Sequence, residues 1–270
     1  MFLAVDSHQA YAYTGGKSFD AALPVVVFIH GAQHDHSVWI LQSRYLANHG
    51  FAVLALDLPG HGRSAGPALA SVEAMAQWVL AVLDAAGASR ATLIGHSMGS
   101  LIALEAAGAA PDRVAGIAMV GSAFPMKVSD ALLDATRDDE PLAQDMVNIW
   151  SHSTYAAKPS NPGPGFWIVG ENLRLMQRIA PGVMHLDFVA CNAYSNGLVR
   201  ATQVRCPALF ILGSRDAMTP PKAAAQLQAA INGQQTVLVN PSGHNLMAEQ
   251  PDAVLDALLG FLAPLRVRLA

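Results

Sequence analysis

The amino-acid sequence predicts an α/β protein, with a mostly parallel, doubly wound sheet and helices on both faces. Short apolar runs, such as Val25–Ile29 and Val114–Val120, alternate along the chain with longer segments of helical periodicity. A short apolar run between turn signals is typical of a strand buried on both faces. A repeated strand–helix–strand order predicts parallel strands joined by crossover helices. The length of 270 residues fits one such domain, or one domain with an insertion.

The elements predicted up to residue 121 alternate regularly. The clearest helix begins at Val72 and repeats apolar residues at helical spacing as far as Leu83, with Gly87 just beyond as a stop signal. The runs at 2–5 and 10–13 are short and separated by polar residues, which predicts an antiparallel edge. The other predicted elements are strands over 25–29, 51–56, 92–94 and 114–120 and helices over 37–48 and 100–109.

The alternation stops between residues 122 and 205, where helical segments replace strands. Pro141 is placed to open a helix, and further helices are predicted over 166–179 and 183–193. Three prolines fall within residues 158–165, which excludes a helix or a central strand there. Strands over 208–212 and 236–239 and helices over 221–231 and 253–262 then return. We therefore predict a core of residues 1–121 and 206–270, with residues 122–205 inserted as a helical cap, or lid.

Composition excludes several classes of protein. Charged residues make up 13% of the chain and the net charge is −4, so we expect neither disorder nor a nucleic-acid-binding surface. No apolar stretch is long enough to span a membrane, and no secretory signal is readable at the N-terminus. Cys191 and Cys206 lack metal-binding spacing and are expected to be reduced. The expected location is cytoplasmic and the expected partner is a small-molecule substrate; association into a homo-oligomer is left open.

Residues 95–99 read Gly-His-Ser-Met-Gly, which matches the pattern G-x-S-x-G between a predicted strand and a predicted helix. A sharp turn here exposes the hydroxyl of Ser97, and the helix N-terminus behind it favours developing negative charge. The alternative is a glycine-rich turn with an incidental serine. The position between strand and helix favours Ser97 as a nucleophile.

A serine nucleophile needs a base, and the base needs a group that orients it. Among the ten histidines, His244 follows the last predicted strand, and Asp216 follows the strand before it. Both are expected at the carboxyl edge of the sheet, near Ser97. The alternatives are a loop histidine at His244 and a helix-capping or turn-forming aspartate at Asp216.

The loop at residues 30–33 follows the first long strand. Its backbone N–H groups could bind an oxyanion together with the amide of Met98, and Ala32 is the expected donor. The alternative is a plain turn that ends the strand.

Taken together, these segments resemble the α/β-hydrolase superfamily. The resemblance rests on Phe28-Ile29-His30-Gly31, on Asp-Leu-Pro-Gly-His-Gly-Arg-Ser at 57–64, and on Ser97, Asp216 and His244 in that chain order. It covers residues 1–121 and 206–270. It implies an eight-stranded, mostly parallel sheet, a helical cap, a catalytic triad and no cofactor.

Several positions depart from related subfamilies. His96 stands where carbon–carbon hydrolases usually have asparagine, and Ser97 stands where haloalkane dehalogenases and epoxide hydrolases have aspartate. Residues 30–36 are similar to those of cofactor-independent dioxygenases, although tryptophan is more typical there at Ala32. The histidines of this stretch lack a metal-binding order, so no metal is expected. The expected substrate pocket is lined by His34, His96, Trp150 and Trp167.

The sequence therefore predicts a carboxylesterase-like enzyme, a serine hydrolase that cleaves a small carboxylic ester or related acyl compound through an acyl-enzyme. The alternatives on the same fold are a cofactor-independent dioxygenase and a carbon–carbon bond hydrolase. A non-catalytic ligand-binding module is less expected, because all three triad candidates are present.

Overall fold

A computed structural model describes residues 1–158 and 167–269, with side chains as far as residue 265. Its strands are β1 (Phe2–Val5), β2 (His8–Tyr13), β3 (Val25–Ile29), β4 (Ala52–Leu56), β5 (Ala91–His96), β6 (Val114–Val120), β7 (Ala208–Gly213) and β8 (Gln235–Val239). They form one eight-stranded sheet in the order β1-β2-β4-β3-β5-β6-β7-β8. The pairs that β2 makes with β1 and β4 are antiparallel, and the other pairs are parallel. The predicted fold class, including the antiparallel edge, is confirmed.

Most of the predicted helices are present, and the helices that the prediction missed are short. They are α1 (Ile40–Asn48), α2 (Val72–Ala85), α3 (Met98–Ala109), α4 (Asp130–Asp138), α5 (Glu140–Ser151), α6 (Ile168–Met176), α7 (Val183–Ala193), α8 (Gly197–Gln203), α9 (Ala225–Ala230), α10 (Leu246–Glu249) and α11 (Pro251–Leu269). Short 3-10 helices precede α1 and α9. The prediction missed α4, α8 and α10, because few turns give too little periodicity to recognise. Residues 159–166, which include most of the predicted irregular tract, lie outside the described residues.

The core lies on both faces of the sheet. Every residue of β3, β4, β5, β6 and β7 is buried. One buried cluster joins the sheet to α2 and α3, and a second joins it to α1 and α11. These two layers explain why the strands are continuous apolar runs. No helix among the described residues is both long and apolar enough to cross a membrane.

The helices α4 to α8 lie between β6 and β7, and we call residues 122–205 the inserted segment. A third buried cluster, which includes Leu132, Val147, Met176, Met184 and Phe188, packs α4, α5, α6 and α7 on one another, whereas α8 packs on α3. The inserted segment therefore has a small core of its own. The inserted segment also contacts the rest of the chain at the carboxyl edge of the sheet, where it contributes residues to the cavities beside Ser97.

Candidate active site

Ser97 occupies a strained turn between β5 and α3. Its φ is +52°, in the left-handed region that a residue with a Cβ rarely adopts. The Ser97 amide donates to the carbonyl of Val120 at 2.9 Å, which fixes the turn against β6. A Cβ on Gly95 would overlap the carbonyl of Gly99, and a Cβ on Gly99 would overlap that of Ile29. The motif glycines are therefore required by close backbone packing.

Asp216 follows β7 and His244 follows β8, and the two side chains form a buried hydrogen bond. Nδ1 of His244 lies 2.7 Å from Oδ2 of Asp216. Oδ1 of Asp216 accepts the backbone amides of Met218 at 2.9 Å and Thr219 at 2.7 Å, which fixes the carboxylate. Because Nδ1 donates to Asp216, Nε2 is left as the basic nitrogen. His244 and Ser97 line the same cavity.

His96 supports the loop that carries His244. Its Nε2 donates to the carbonyl of His244 at 2.9 Å, and the two rings lie 4.6 Å apart. Nδ1 of His96 is buried and has no partner among the described residues. Burial lowers the pKa of His96 well below its ordinary value, and the nearby His244 adds to this. His96 thus lines the cavity in its neutral form.

The loop at residues 30–33 lies against Ser97. A Cβ on Gly31 would lie 3.2 Å from Cβ of Ser97. Nδ1 of His30 donates to the carbonyl of Gly31 at 2.7 Å, while its Nε2 accepts the amide of Leu58 at 3.1 Å. The N–H of a trans peptide points away from its carbonyl, so the Ala32 amide points away from His30. It donates to no described residue and is available to a ligand.

His34 lines the same cavity but has both ring nitrogens engaged. Nδ1 lies 2.7 Å from the carbonyl oxygen of Ala32, and Nε2 lies 2.8 Å from Oδ1 of Asn172. Asn172 in turn donates to Oδ1 of Asn148 at 3.0 Å. Burial lowers the pKa of His34, although these hydrogen bonds oppose the shift. His34 is part of the wall, not a free base.

Two cavities meet at Ser97. The inner one has a volume of about 30 Å³, and its polar lining includes Ser151, Asn172 and Asn245. The outer one has a volume of about 180 Å³ and a mostly apolar lining. Its apolar residues are Ala32, Met126, Val128, Leu132, Trp150, Phe188, Cys191, Ala217 and Met218. Ser97 lines both cavities, so the site can place a small group in the inner cavity and a larger group in the outer one.

Known proteins resemble the chain over almost its whole length. The model of the alpha/beta hydrolase fold family matches residues 24–251. The chain belongs to the α/β-hydrolase family. A Klebsiella pneumoniae protein assigned as the carbamate hydrolase RutD is 28% identical over 89% of this chain and 91% of the relative.

Solved structures place this α/β hydrolase in the same fold. An esterase from Exiguobacterium antarcticum has a TM-score of 0.84 and 19% identity, covering 97% of this chain and 99% of the other. An enol-lactonase from Burkholderia xenovorans LB400 has a TM-score of 0.84 and 22% identity, covering 97% and 100%. At these identities the likeness shows the fold alone.

The two predicted pocket tryptophans of this α/β hydrolase lie in different surroundings. Trp150 lies in the last turn of α5 and lines the outer cavity, with 36% of its surface exposed. Trp167 is 74% exposed and lines neither cavity at Ser97 among the described residues. Its ring packs over Gly170 at the start of α6. The prediction that Trp167 lines the pocket is therefore not met, because the first turn of α6 directs the ring onto its own helix.

A buried carboxylate that was not predicted from the sequence, that of Glu249, lies behind the His244 loop. Oε1 of Glu249 accepts the amides of Gly243 and Ser153, each at 3.1 Å, and Oε2 accepts the Ser153 hydroxyl. Burial raises the pKa of Glu249, although these donors oppose the shift. Glu249 thus joins the loop of His244 to the inserted segment. A glutamate on a four-residue helix carries no pattern that would reveal this.

Among the described residues, Asp35, His36 and Asp57 place potential metal ligands within 4.8 Å of one another. Most of their atoms already serve the fold, although Oδ2 of Asp35 is buried without a hydrogen-bond partner and lies 3.7 Å from the guanidinium of Arg178. Oδ1 of Asp57 accepts both the amide and Nδ1 of His36, at 2.8 and 2.7 Å, and its Oδ2 accepts the amide of Arg63. Asp35 caps the 3-10 helix before α1 through the amide of Ser37. We interpret the cluster as structural.

The neutral buried histidines should make the stability of this α/β hydrolase depend on pH. Burial lowers the folded-state pKa of His96 well below the ordinary histidine value of about 6.5, so the unfolded chain takes up a proton that the folded chain does not. The free energy of unfolding should therefore fall as pH falls below about 6.5, by about 1 kcal/mol for His96 between pH 7 and 5.5. Urea unfolding across this range measures the slope.

The matched variant is His96→Asn, whose amide can still donate to the His244 carbonyl. The slope of its unfolding free energy against pH should be smaller than that of the wild type. The difference should correspond to at most one proton taken up on unfolding. Equal slopes in the variant and the wild type would contradict a neutral His96.

Proposed function

We propose that this α/β hydrolase is a serine hydrolase that cleaves a small carboxylic ester or related acyl compound through an acyl-enzyme. The observation that carries the proposal is the 2.7 Å hydrogen bond between His244 and Asp216, in a cavity that His244 shares with the strained Ser97. A nucleophile, a base and an orienting carboxylate are the parts that acyl transfer requires.

In the proposed reaction, Oγ of Ser97 attacks the acyl carbon while Nε2 of His244 takes the hydroxyl proton. The amides of Ala32 and Met98 stabilise the oxyanion. His244 then returns the proton to the leaving group, which departs and leaves an ester on Ser97. A water molecule, deprotonated by His244, attacks this ester and releases the acid.

The sizes of the two cavities suggest which part of a substrate occupies each of them. A volume of about 30 Å³ holds about two water molecules, so only a small group fits the inner cavity. An alkyl chain can extend only into the outer cavity. The RutD relative suggests that carbamates should be tested beside esters. We propose that the inserted segment acts as a cap, because it supplies Trp150, Phe188 and Cys191 to the outer wall.

The surroundings of His34 weaken the case for an oxygenase. The resemblance to cofactor-independent dioxygenases rests on residues 30–36, yet oxygen atoms of Ala32 and Asn172 lie 2.7 and 2.8 Å from the two ring nitrogens of His34, so neither nitrogen is open to a substrate. The hydroxyl of Thr219 donates to Oδ2 of Asp216 at 2.8 Å and supports the acid–base pair of the proposed triad.

The test is a substrate screen of the purified protein. We expect hydrolysis of p-nitrophenyl esters, and covalent labelling by a fluorophosphonate that peptide mapping assigns to Ser97. Heat-unfolded protein is the labelling control. Oxygen uptake with heteroaromatic enols, without labelling of Ser97, would instead establish the oxygenase.

Trp150→Ala should change the preference for chain length. Loss of the indole removes apolar surface from the outer cavity, so kcat/KM for a hexanoate ester should fall about tenfold, equivalent to about 1.4 kcal/mol. The value for the acetate ester should change less than about threefold, because acetate does not reach that wall. Steady-state kinetics with p-nitrophenyl acetate and hexanoate measures both.

Ile149→Ala is the matched control, since Ile149 precedes Trp150 on α5 and is 72% exposed. It should leave both values unchanged. If Trp150→Ala lowers the melting temperature while the ratio of the two values stays constant, Trp150 belongs to the packing of the inserted segment instead.

A further inference from the structure

Gln33, at the end of the loop beside Ser97, is held by the inserted segment. Its φ is +60°, and its side chain is buried. Its backbone amide donates to Oδ2 of Asp187 at 2.8 Å. Its side-chain amide donates to the carbonyl of Met176 at 2.9 Å and to Oε1 of Glu140 at 3.3 Å. A left-handed residue with a Cβ persists only where its surroundings hold it, and here all three acceptors belong to the inserted segment.

Asp187 is held in turn by His61, a buried residue outside the inserted segment. It lies fully buried on α7, and the oxygen that accepts Gln33 also accepts Nε2 of His61 at 3.0 Å. Nδ1 of His61 lies 3.1 Å from the carbonyl oxygen of Pro59, so both ring nitrogens face acceptors. Burial alone would lower the pKa of His61, but the charge of Asp187 raises it. Asp187 and His61 thus form a buried ion pair between the inserted segment and residues 57–64.

This ion pair lies one peptide group away from the candidate oxyanion donor. The peptide between Ala32 and Gln33 is held at both ends, since its carbonyl faces Nδ1 of His34 and its N–H donates to Asp187. The preceding peptide is held by His30 through the carbonyl of Gly31. The amide of Ala32 lies between these two fixed points. Its direction therefore depends on Asp187 as well as on His30.

We propose that Asp187 is a positioning residue for the oxyanion hole, and that the inserted segment completes the active site through it as well as covering the site. Asp187 holds Gln33 in its left-handed conformation, and Gln33 fixes the direction of the Ala32 amide. The proposal rests on the proposed function, because an oxyanion forms only if Ser97 attacks an acyl carbon. A lid that only controlled entry would affect substrate binding, whereas this contact should affect the transition state.

The test compares Asp187→Ala, His61→Gln and the double variant with the wild type. Alanine removes the oxygen that accepts the Gln33 amide, which asparagine would keep. Loss of an oxyanion donor costs about a hundredfold to a thousandfold in kcat, and misdirecting one should cost less. We expect kcat on p-nitrophenyl acetate to fall about tenfold to a hundredfold in Asp187→Ala, with KM within about threefold. The double variant should be no worse than about threefold below Asp187→Ala, since both changes act through one contact.

Two ligands separate positioning from general loosening. An alkyl boronic acid forms a tetrahedral adduct on Ser97 and should lose affinity in parallel with kcat, whereas the alcohol of the same chain length should bind as before. Tyr194→Phe is the matched control. Its hydroxyl makes a buried hydrogen bond at 2.8 Å to Glu105 on α3, another contact of the inserted segment but far along the chain from the oxyanion loop. It should change kcat less than about threefold.

The outcomes are distinct. If the wild type neither hydrolyses esters nor is labelled at Ser97, the proposed function fails and this inference fails with it. If the wild type is active and Asp187→Ala matches Tyr194→Phe, or if the boronic acid and the alcohol weaken equally, only the positioning role is overturned. Should Asp187→Ala not fold, His61→Gln decides: it removes the positive charge that holds Asp187, so a loss in kcat of about threefold or more with unchanged KM supports the role, and an unchanged kcat overturns it.

Discussion

Ser97→Ala should lower kcat on p-nitrophenyl acetate by at least about a thousandfold and abolish fluorophosphonate labelling. The proposed mechanism forms the acyl bond on the Ser97 hydroxyl, which lies on the strained turn where the two cavities meet. Alanine is as large at Cβ as serine, so the turn between β5 and α3 should persist. Steady-state kinetics, labelling and a melting curve on the same preparation measure the three effects.

The loss in kcat caused by Ser97→Ala should not add to the loss caused by a change of His244, because the two residues act together. His244→Ala alone, and the double variant with Ser97→Ala, should both be close to Ser97→Ala in kcat. Ser122→Ala is a matched control, because its hydroxyl is buried and hydrogen-bonded to Ser100 at 2.8 Å. More than a tenth of wild-type activity in Ser97→Ala would remove Ser97 from the role of nucleophile. Such activity with uptake of oxygen would favour the dioxygenase.

The fold could be predicted from the sequence where burial alone determines the pattern. β3, β6 and α7 begin and end at the predicted residues, since their apolar runs end at polar residues or glycines. The short helices of the inserted segment could not be predicted, because α4 is mostly polar and α8 has only seven residues. Packing against neighbours, which a local pattern does not contain, stabilises them.

The candidate site was predictable where topology positions it. Ser97, Asp216 and His244 each follow a strand of the parallel part of the sheet, and the carboxyl ends of such strands meet at one edge. The structure brings Asp216 and His244 into contact and places Ser97 in the same cavity as His244. The sequence could not place Trp150 and Trp167, because the course of the inserted segment determines which side chains reach the pocket.

The residues that support this site were missed because their partners are remote in sequence. Asp187 binds the amide of Gln33, which is 154 positions away. One signal could have drawn attention to it. In α7, Asp187 lies three residues after Met184 and four before Cys191, on the face that both apolar residues bury. A carboxylate on such a face requires a partner, although the sequence does not say which.

Asp216→Asn should reduce kcat by about a thousandfold to ten-thousandfold and leave the fold intact. The reason lies in the two backbone amides that Oδ1 of Asp216 accepts, from Met218 and Thr219. An asparagine must keep its carbonyl oxygen toward these two donors, so its NH₂ group must point at Nδ1 of His244. Nδ1 then has to accept a hydrogen bond, which moves the ring proton to Nε2. Nε2, which is the base in the proposed mechanism, can then no longer take the Ser97 proton.

Thr219→Val separates this effect from a general disturbance of the carboxylate. It removes the hydroxyl that donates to Oδ2 of Asp216 but keeps the Thr219 backbone amide and the charge. Its kcat should fall about tenfold or less, and its rate of fluorophosphonate labelling should fall in proportion. In Asp216→Asn the labelling rate should fall with kcat by the full factor, because both reactions require His244 to take the Ser97 proton. An Asp216→Asn enzyme within tenfold of the wild type would mean that Asp216 does not orient His244, and the acid would have to be sought elsewhere around the cavity.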